Sequence, residues 1–146
     1  MNKKQFIEIR RQLGKTQNKM SQLLGVSVKA IQSFEQGLRK IPVHIERQMW
    51  FIFAMQKSQT IKKRPCWTIK KCPTEIKRNC PAWEFQVGYL CWFINGTICQ
   101  GEVQDTWEKK MKICRQCEIF RSILPHPSVK KSSLRLSPRT RENGPL

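Results

Sequence analysis

Apolar residues recur at helical spacing through the first 56 residues of the chain. Large aliphatic or aromatic side chains stand three, four and seven positions apart, which predicts four amphipathic helices around one small core. The positions predicted to be buried are Phe6, Ile9 and Leu13; Met20, Leu23 and Leu24; Ile31 and Phe34; and Ile45, Met49, Ile52 and Phe53. Trp50 and Phe51 flank the last stripe, and belong either to this core or to an exposed patch that pairs with a second domain or a second protomer.

Small residues between the stripes predict where the helices begin and end. Gly14, Gly25 and Gly37 follow the first three stripes, and a glycine ends a helix at low cost because it adopts left-handed backbone angles. Thr16 and Ser27 precede the second and third stripes, where a hydroxyl group caps the free amides of the first turn. The first and second helices are predicted at Asn2 to Leu13 and Gln17 to Leu24. Two short helices joined by a turn with glycine are typical of a helix-turn-helix unit.

The helical pattern stops after residue 56, and three further segments follow. Residues 57–65 read as a basic linker, and residues 66–120 contain all seven cysteines and four of the five tryptophans. Residues 121–146 are rich in Ser, Pro and basic residues and bury too little apolar surface to offset the entropy of ordering. The expected fold class is mainly α, with a four-helix helix-turn-helix domain at 1–56, a small irregular cysteine-rich domain and a disordered basic tail.

The formal net charge of +18 predicts a polyanionic partner, either nucleic acid or an anionic membrane surface. No apolar run reaches the ~18 residues that a membrane-spanning helix needs. The opening Met1-Asn-Lys-Lys lacks the apolar stretch of a secretory signal, so we expect a cytoplasmic protein. No small-molecule substrate is evident, and double-stranded DNA is the expected partner.

The motif Thr-Gln-x3-Ser-x-Leu-Leu-Gly-Val-Ser-x3-Ile-x2-Phe-Glu-x-Gly runs from Thr16 to Gly37. It resembles the phage repressor and Cro family (XRE-like) of helix-turn-helix domains, and the resemblance covers residues 3–56. The residues in register with that family are Gln17, Gly25, Ile31, Glu35 and Gly37. The resemblance implies a transcriptional regulator that binds DNA as a homodimer and places its third helix in the major groove.

The same resemblance implies which side chains contact DNA. The residues implied to face bases are Ser27, Val28, Lys29, Gln32 and Ser33. Lys29 can donate to guanine, Gln32 can pair with adenine, and Val28 can pack on a thymine methyl group. The residues implied to contact the sugar-phosphate backbone are Gln17, Lys15, Arg39 and Lys40. Two alternatives remain: the polar side of this helix is only solvated, or the domain is a protein-binding descendant of the fold.

Seven cysteines cluster in the middle segment: Cys66, Cys72, Cys80, Cys91, Cys99, Cys114 and Cys117. Cytosolic thiols stay reduced, so the clustering indicates metal ligation rather than disulfides. The two histidines of the chain, His44 and His126, lie outside this segment, so its ligands are expected to be thiolates. Cys114 and Cys117 form a Cys-x2-Cys pair and are the first candidates. An iron–sulfur cluster, a structural zinc ion, and thiol-based redox sensing without metal are the three interpretations.

Residues 66–120 also resemble the bacterial two-CW domain, a module attached to signalling proteins. The resemblance rests on two Cys-Trp pairs, Cys80-Pro-Ala, and the final Cys-x2-Cys with Phe120 after it. The function expected for the whole chain is a DNA-binding transcriptional regulator with a cysteine-rich sensory or structural metal domain. The alternative is an antitoxin-like or adaptor module for protein interaction, in which DNA binding is secondary. A thiol–disulfide oxidoreductase needs a strand-helix-strand pattern around its cysteine pair, which the sequence lacks, so we expect no enzyme.

Overall fold

The computed structural model describes residues 1–57 and 64–125, and most of these residues are helical. The N-terminal segment forms α1 (Lys3–Gln12), α2 (Gln17–Leu24), α3 (Val28–Gln36) and α4 (Val43–Lys57). The cysteine segment forms α5 (Cys66–Ile69), α6 (Thr74–Arg78), α7 (Pro81–Glu84), β1 (Thr97–Cys99), β2 (Glu102–Gln104), α8 (Trp107–Cys114) and α9 (Glu118–Arg121). Residues 58–63 of the predicted linker (57–65) and residues 126–146 of the predicted tail (121–146) lie outside the described residues.

The ends of α2 and α3 are capped as the sequence predicts. The Thr16 hydroxyl accepts a hydrogen bond from the backbone of Lys19 at 3.1 Å, and the Ser27 hydroxyl accepts one from Ala30 at 3.1 Å. Gly37 ends α3 with φ near +79°, a conformation that strains any residue with a Cβ atom. The observed bounds of α1 to α3 lie within one residue of the predicted ones, because helix ends are set by local interactions of this kind.

The four N-terminal helices enclose an apolar core that contains most of the predicted residues. Phe6 and Phe34 meet edge to face at its centre, with ring centroids 5.8 Å apart. Leu23 is a wrong prediction, because its side chain is 46% exposed and the buried face of α2 consists of Met20, Ser21 and Leu24. Neighbouring residues on a helix point about 100° apart, so Leu23 lies beyond the edge of that face. Ile52 is only half-buried, although it packs against the core.

The cysteine segment is built from short elements rather than long helices. The strands β1 and β2 pair in antiparallel fashion, with Thr97 opposite Gln104 and Cys99 opposite Glu102. Gln100 and Gly101 connect them, and both have positive φ, as a two-residue hairpin turn requires. The segment continues past the predicted boundary at residue 120, since Ile123 is buried in the same core.

Helix α4 carries the contact between the two segments. Trp50 is completely buried, and its ring meets the ring of Phe120 edge to face at 5.1 Å. The next residue, Phe51, makes a second aromatic contact, with the ring of Phe93 at a centroid distance of 5.1 Å. The aromatic residues of α4 therefore pair with the cysteine segment, which decides between the alternatives left open by the sequence. Buried residues of both segments form one hydrophobic core.

Polar contacts reinforce this junction. The Arg47 side chain on α4 donates a hydrogen bond to the carbonyl oxygen of Phe93 at 2.6 Å, and its guanidinium lies over the Phe93 ring. The buried carboxylate of Glu46 receives a weaker contact from Arg115 at 3.4 Å. Helix α4, which closes the N-terminal core, is thus linked to the cysteine segment by polar as well as apolar contacts.

Within the part of the chain described, no helix is both long and apolar enough to cross a membrane.

Candidate nucleic-acid interface and cysteine cavity

Helix α3 presents one polar face to solvent and one apolar face to the core. Ile31 and Phe34 are buried beneath it, whereas Lys29 and Gln32 are exposed on the opposite side. Lys29 and Gln32 are three positions apart, so they lie next to each other on the same face of the helix. Among the other residues implied to face bases, Ser27 is exposed, and Val28 and Ser33 are half-buried. The structure thus brings the predicted residues together along one side of α3 and its N-terminal cap.

A half-buried ion pair joins α1 to α3, and sequence reasoning missed it. Two nitrogens of Arg10 on α1 donate to the Glu35 carboxylate on α3, one of them from Nη2 to Oε2 at 3.0 Å. Gln17 donates to the same carboxylate at 2.8 Å, so its side-chain nitrogen is held inside the fold. Burial of Glu35 acts to raise its pKa, but the hydrogen bonds and the nearby arginine charges outweigh burial and hold that pKa below its usual value.

The surroundings of α3 are positively charged. Lys15, Arg39 and Lys40, which the family resemblance implies as contacts to the DNA backbone, are exposed in the loops before α2 and after α3. The backbone of Arg39 donates to the carbonyl of Ser33 at 3.3 Å, which holds this loop against α3. The three acidic side chains of residues 1–57 are engaged within the fold: Glu8 with Gln12, Glu35 with Arg10, and Glu46 with the amino group of Met1. Each of these carboxylates thus has a hydrogen-bond or ion-pair partner within residues 1–57.

In the second segment, all seven cysteines line one cavity of about 290 Å³. They reach it from different elements: Cys66 begins α5, Cys99 ends β1 and Cys114 ends α8. No disulfide joins any of the seven in the structure. Apolar side chains complete the wall, among them Trp67 and Trp83, whose rings meet edge to face at 4.9 Å.

The thiols of the cavity differ in acidity because their surroundings differ. Cys91 donates a hydrogen bond to Cys66, which lowers the pKa of Cys66 and raises that of Cys91 well above its ordinary value. Burial raises the pKa of Cys99, and it raises that of Cys114 to about 11. An attacking cysteine in a thiol–disulfide oxidoreductase has a lowered pKa at a helix start, whereas Cys114 lies at the end of α8. Cys114 is therefore poorly suited to thiol–disulfide exchange.

A completely buried lysine also lines this cavity. The Nζ atom of Lys110 donates to the hydroxyl of Thr97, which is itself buried, and no carboxylate of the described residues pairs with it. Sequence reasoning missed Lys110, although a signal was present. Trp107, Lys110, Met111 and Cys114 follow one another at helical spacing, which places the lysine on the buried face of α8.

The cavity does not gather the cysteines around a single point. No group of three or more His, Cys, Asp or Glu side chains within residues 1–57 and 64–125 is arranged to hold one metal ion. The Cys114–Cys117 pair bridges the end of α8 and the start of α9. Metal binding by these cysteines remains a prediction, and the structure defines the cavity in which it would occur.

The comparisons with known proteins concern the N-terminal segment. A family model described as helix-turn-helix matches residues 6–45, which span most of α1, all of α2 and α3, and the start of α4. This match confirms the helix-turn-helix predicted for this segment. No curated protein and no solved structure matches the chain. The resemblance of residues 66–120 to the two-CW domain stays a prediction.

Proposed function

We propose that this protein is a sequence-specific regulator of transcription that binds double-stranded DNA through α3. The observation that carries the proposal is the two-sided character of α3, with Lys29 and Gln32 exposed above the buried Ile31 and Phe34. A lysine and a glutamine on one exposed helix face can donate to guanine and bond to adenine in the major groove. The helix-turn-helix match supports the same function, because this family consists of DNA-binding regulators.

The exposed cations around α3 supply affinity without sequence preference. Lys15, Arg39 and Lys40 are placed to contact phosphates, and such contacts set the register of a protein on the duplex. Neutralised phosphates release counterions, so affinity is expected to fall steeply with salt. A homodimer on a palindromic operator is part of the proposal, since repressors of this type read two half-sites about one helical turn apart.

The cysteine segment acts as the regulatory half of the protein in this proposal. Its core contacts α4 through Phe120 and Phe93, and α4 closes the core on which α3 rests. A change of state in the cysteine segment can therefore shift the equilibrium of the DNA-binding segment, as linkage between two sites requires.

Replacement of the exposed α3 side chains tests the proposal. Duplexes that the full-length protein selects from a random pool define its preferred sequence. The double variant Lys29→Ala/Gln32→Ala should lose preference for that sequence by roughly tenfold or more, because each base contact contributes about 1–3 kcal/mol of discrimination. Binding to unrelated duplexes should persist through the remaining cations.

The matched control is Lys112→Ala/Gln116→Ala, which removes the same two residue types from exposed positions of the cysteine segment. It should leave both sequence preference and affinity unchanged. An unaltered preference in the α3 variant would contradict the assignment of α3 as the recognition helix. A protein that selects no duplex but copurifies with a stoichiometric protein partner would instead support the interaction module.

A further inference from the structure

The size of the cysteine cavity helps to distinguish a site for a single zinc ion from a site for an iron–sulfur cluster. A zinc ion binds thiolates at about 2.3 Å, so four sulfur atoms must crowd around one point. No described group of three or more potential ligands has such an arrangement, although seven thiols surround a space of about 290 Å³. An iron–sulfur cluster distributes its cysteine ligands over several iron atoms and fills the space between them with iron and sulfide. The dispersed thiols and the open volume fit a cluster better than one ion.

Lys110 indicates that the cavity favours an anionic ligand. A buried ammonium group is costly unless an anion compensates it, and its hydrogen-bond partner Thr97 is neutral. None of the ion pairs in residues 1–57 and 64–125 involves Lys110. A cluster bound by four thiolates has a net negative charge, and its sulfur atoms accept hydrogen bonds. The buried cation is therefore an observation, independent of the cysteines, that points to an anion in this cavity.

Two of the cysteines lie next to Lys110 in the structure. Cys114 follows Lys110 by four positions on the buried face of α8, and the Sγ atom of Cys99 lies 3.8 Å from the Thr97 hydroxyl that Lys110 contacts. We propose that the cavity binds an iron–sulfur cluster through Cys99, Cys114 and two further cysteines of its wall, with Lys110 compensating its negative charge. This inference goes beyond DNA binding and does not depend on it.

Binding of a preassembled cluster is a ligand exchange. Each of the four thiols loses its proton as its Fe–S bond forms, and each of the four external ligands leaves its iron atom as an anion that takes up that proton. No iron atom changes its oxidation state in this step. The aromatic wall around Trp67 and Trp83 shields the bound cluster from water, which favours its persistence.

Composition and spectrum of the full chain test the proposal directly. The protein, purified without oxygen from iron-supplemented cells, should contain iron and acid-labile sulfide in comparable amounts. It should be brown, with visible absorption that disappears when the iron is chelated. Zinc at one ion per chain without sulfide would overturn the proposal, and so would protein that contains neither iron nor sulfide.

Cysteine variants test the ligand assignment. Cys99→Ser and Cys114→Ser should each lose most of the bound iron and sulfide, whereas Lys109→Met, at an exposed position of α8, should retain them. Retention in both cysteine variants would overturn the assignment of these two ligands. Circular dichroism identifies any variant that has failed to fold, and the lysine variants then provide the second measurement.

The lysine variants separate an electrostatic role from a structural one. Lys110→Met keeps a long side chain but removes the buried charge, which should shift the reduction potential of the cluster to more negative values. Lys109→Met is the matched control, because Lys109 is exposed and pairs with Asp105. An equal potential in both variants would contradict the role of Lys110. DNA binding of the cluster-free protein is measured separately, so that failure of this proposal is distinguishable from failure of the DNA-binding proposal.

Discussion

The two segments of this protein are stabilised in different ways. The N-terminal segment packs four helices of eight to fifteen residues around apolar side chains, with Phe6 and Phe34 in contact at its centre. The cysteine segment has α8 as its longest helix among the residues described, and it buries thiols and the Lys110 ammonium group alongside aromatic rings. A small domain buries a modest share of its surface and often needs an additional stabilising element. The N-terminal segment is therefore stabilised mainly by helix packing, whereas the cysteine segment combines apolar packing with buried polar and charged groups, and the two segments share one core.

The largest effect is expected where the two segments meet. Trp50→Ala removes a completely buried ring that contacts Phe120, and we expect the free energy of unfolding to fall by about 3–5 kcal/mol. Urea denaturation followed by circular dichroism measures the change. Phe85→Ala is the matched control, because Phe85 is 62% exposed and its loss should change stability little. If Trp50→Ala leaves stability near that of the control, the contact between the segments is not a stabilising one.

An intermediate effect is expected within the cysteine segment alone. A Cβ atom at Gly88 would lie 2.6 Å from the Cβ of Pro65 and 2.9 Å from the backbone nitrogen of Cys66. Gly88→Ala should therefore destabilise the protein by about 2 kcal/mol through overpacking, while sequence-specific DNA binding persists at low temperature. Gly14→Ala, in the N-terminal segment, meets open space and should cost only the strain of its positive φ, roughly 1 kcal/mol. Equal destabilisation by both variants, measured in urea, would argue against close packing at Gly88.

The smallest effect concerns the N-terminal segment and depends on pH. The Glu35 carboxylate binds Arg10 and Gln17, and its lowered pKa means that the folded state holds its proton less tightly than the unfolded state. This stabilisation is present above the unfolded-state pKa of about 4.3 and is lost as pH falls through the lower folded-state pKa. Glu35→Gln should cost about 1 kcal/mol at pH 7 and progressively less below pH 4. A difference that is constant between pH 7 and pH 3, measured by urea denaturation, would show that the carboxylate charge has no role.

Much of the N-terminal fold could be predicted because its signals are local. Thr16 and Ser27 cap amides three residues away, and Gly37 ends α3 through its own backbone angles. The periodicity that predicted α3 also identified which of its faces is buried, and with it the candidate recognition surface. The same reasoning was wrong for Leu23, because a leucine at the edge of an apolar stripe satisfies the pattern whether or not other helices cover it.

Prediction was less complete for the cysteine segment. Its sequence identified the seven thiols as a functional set and named Cys114 and Cys117 first. It could not place them around one cavity, since they come from elements separated by up to fifty positions. Lys110 was overlooked because its neighbour Lys109 is of the same type and exposed, so that residue type alone does not distinguish them.

The amino-acid sequence by itself determined the helices of the N-terminal segment, the caps of α2 and α3 and the two-sided character of α3, because these depend on interactions within one or two helical turns. Only the tertiary structure decided that Trp50 rests on Phe120 and that Lys110 faces the thiols. The physical reason is distance along the chain: seventy positions separate Trp50 from Phe120, and no local pattern records which distant side chain will cover an apolar or charged group.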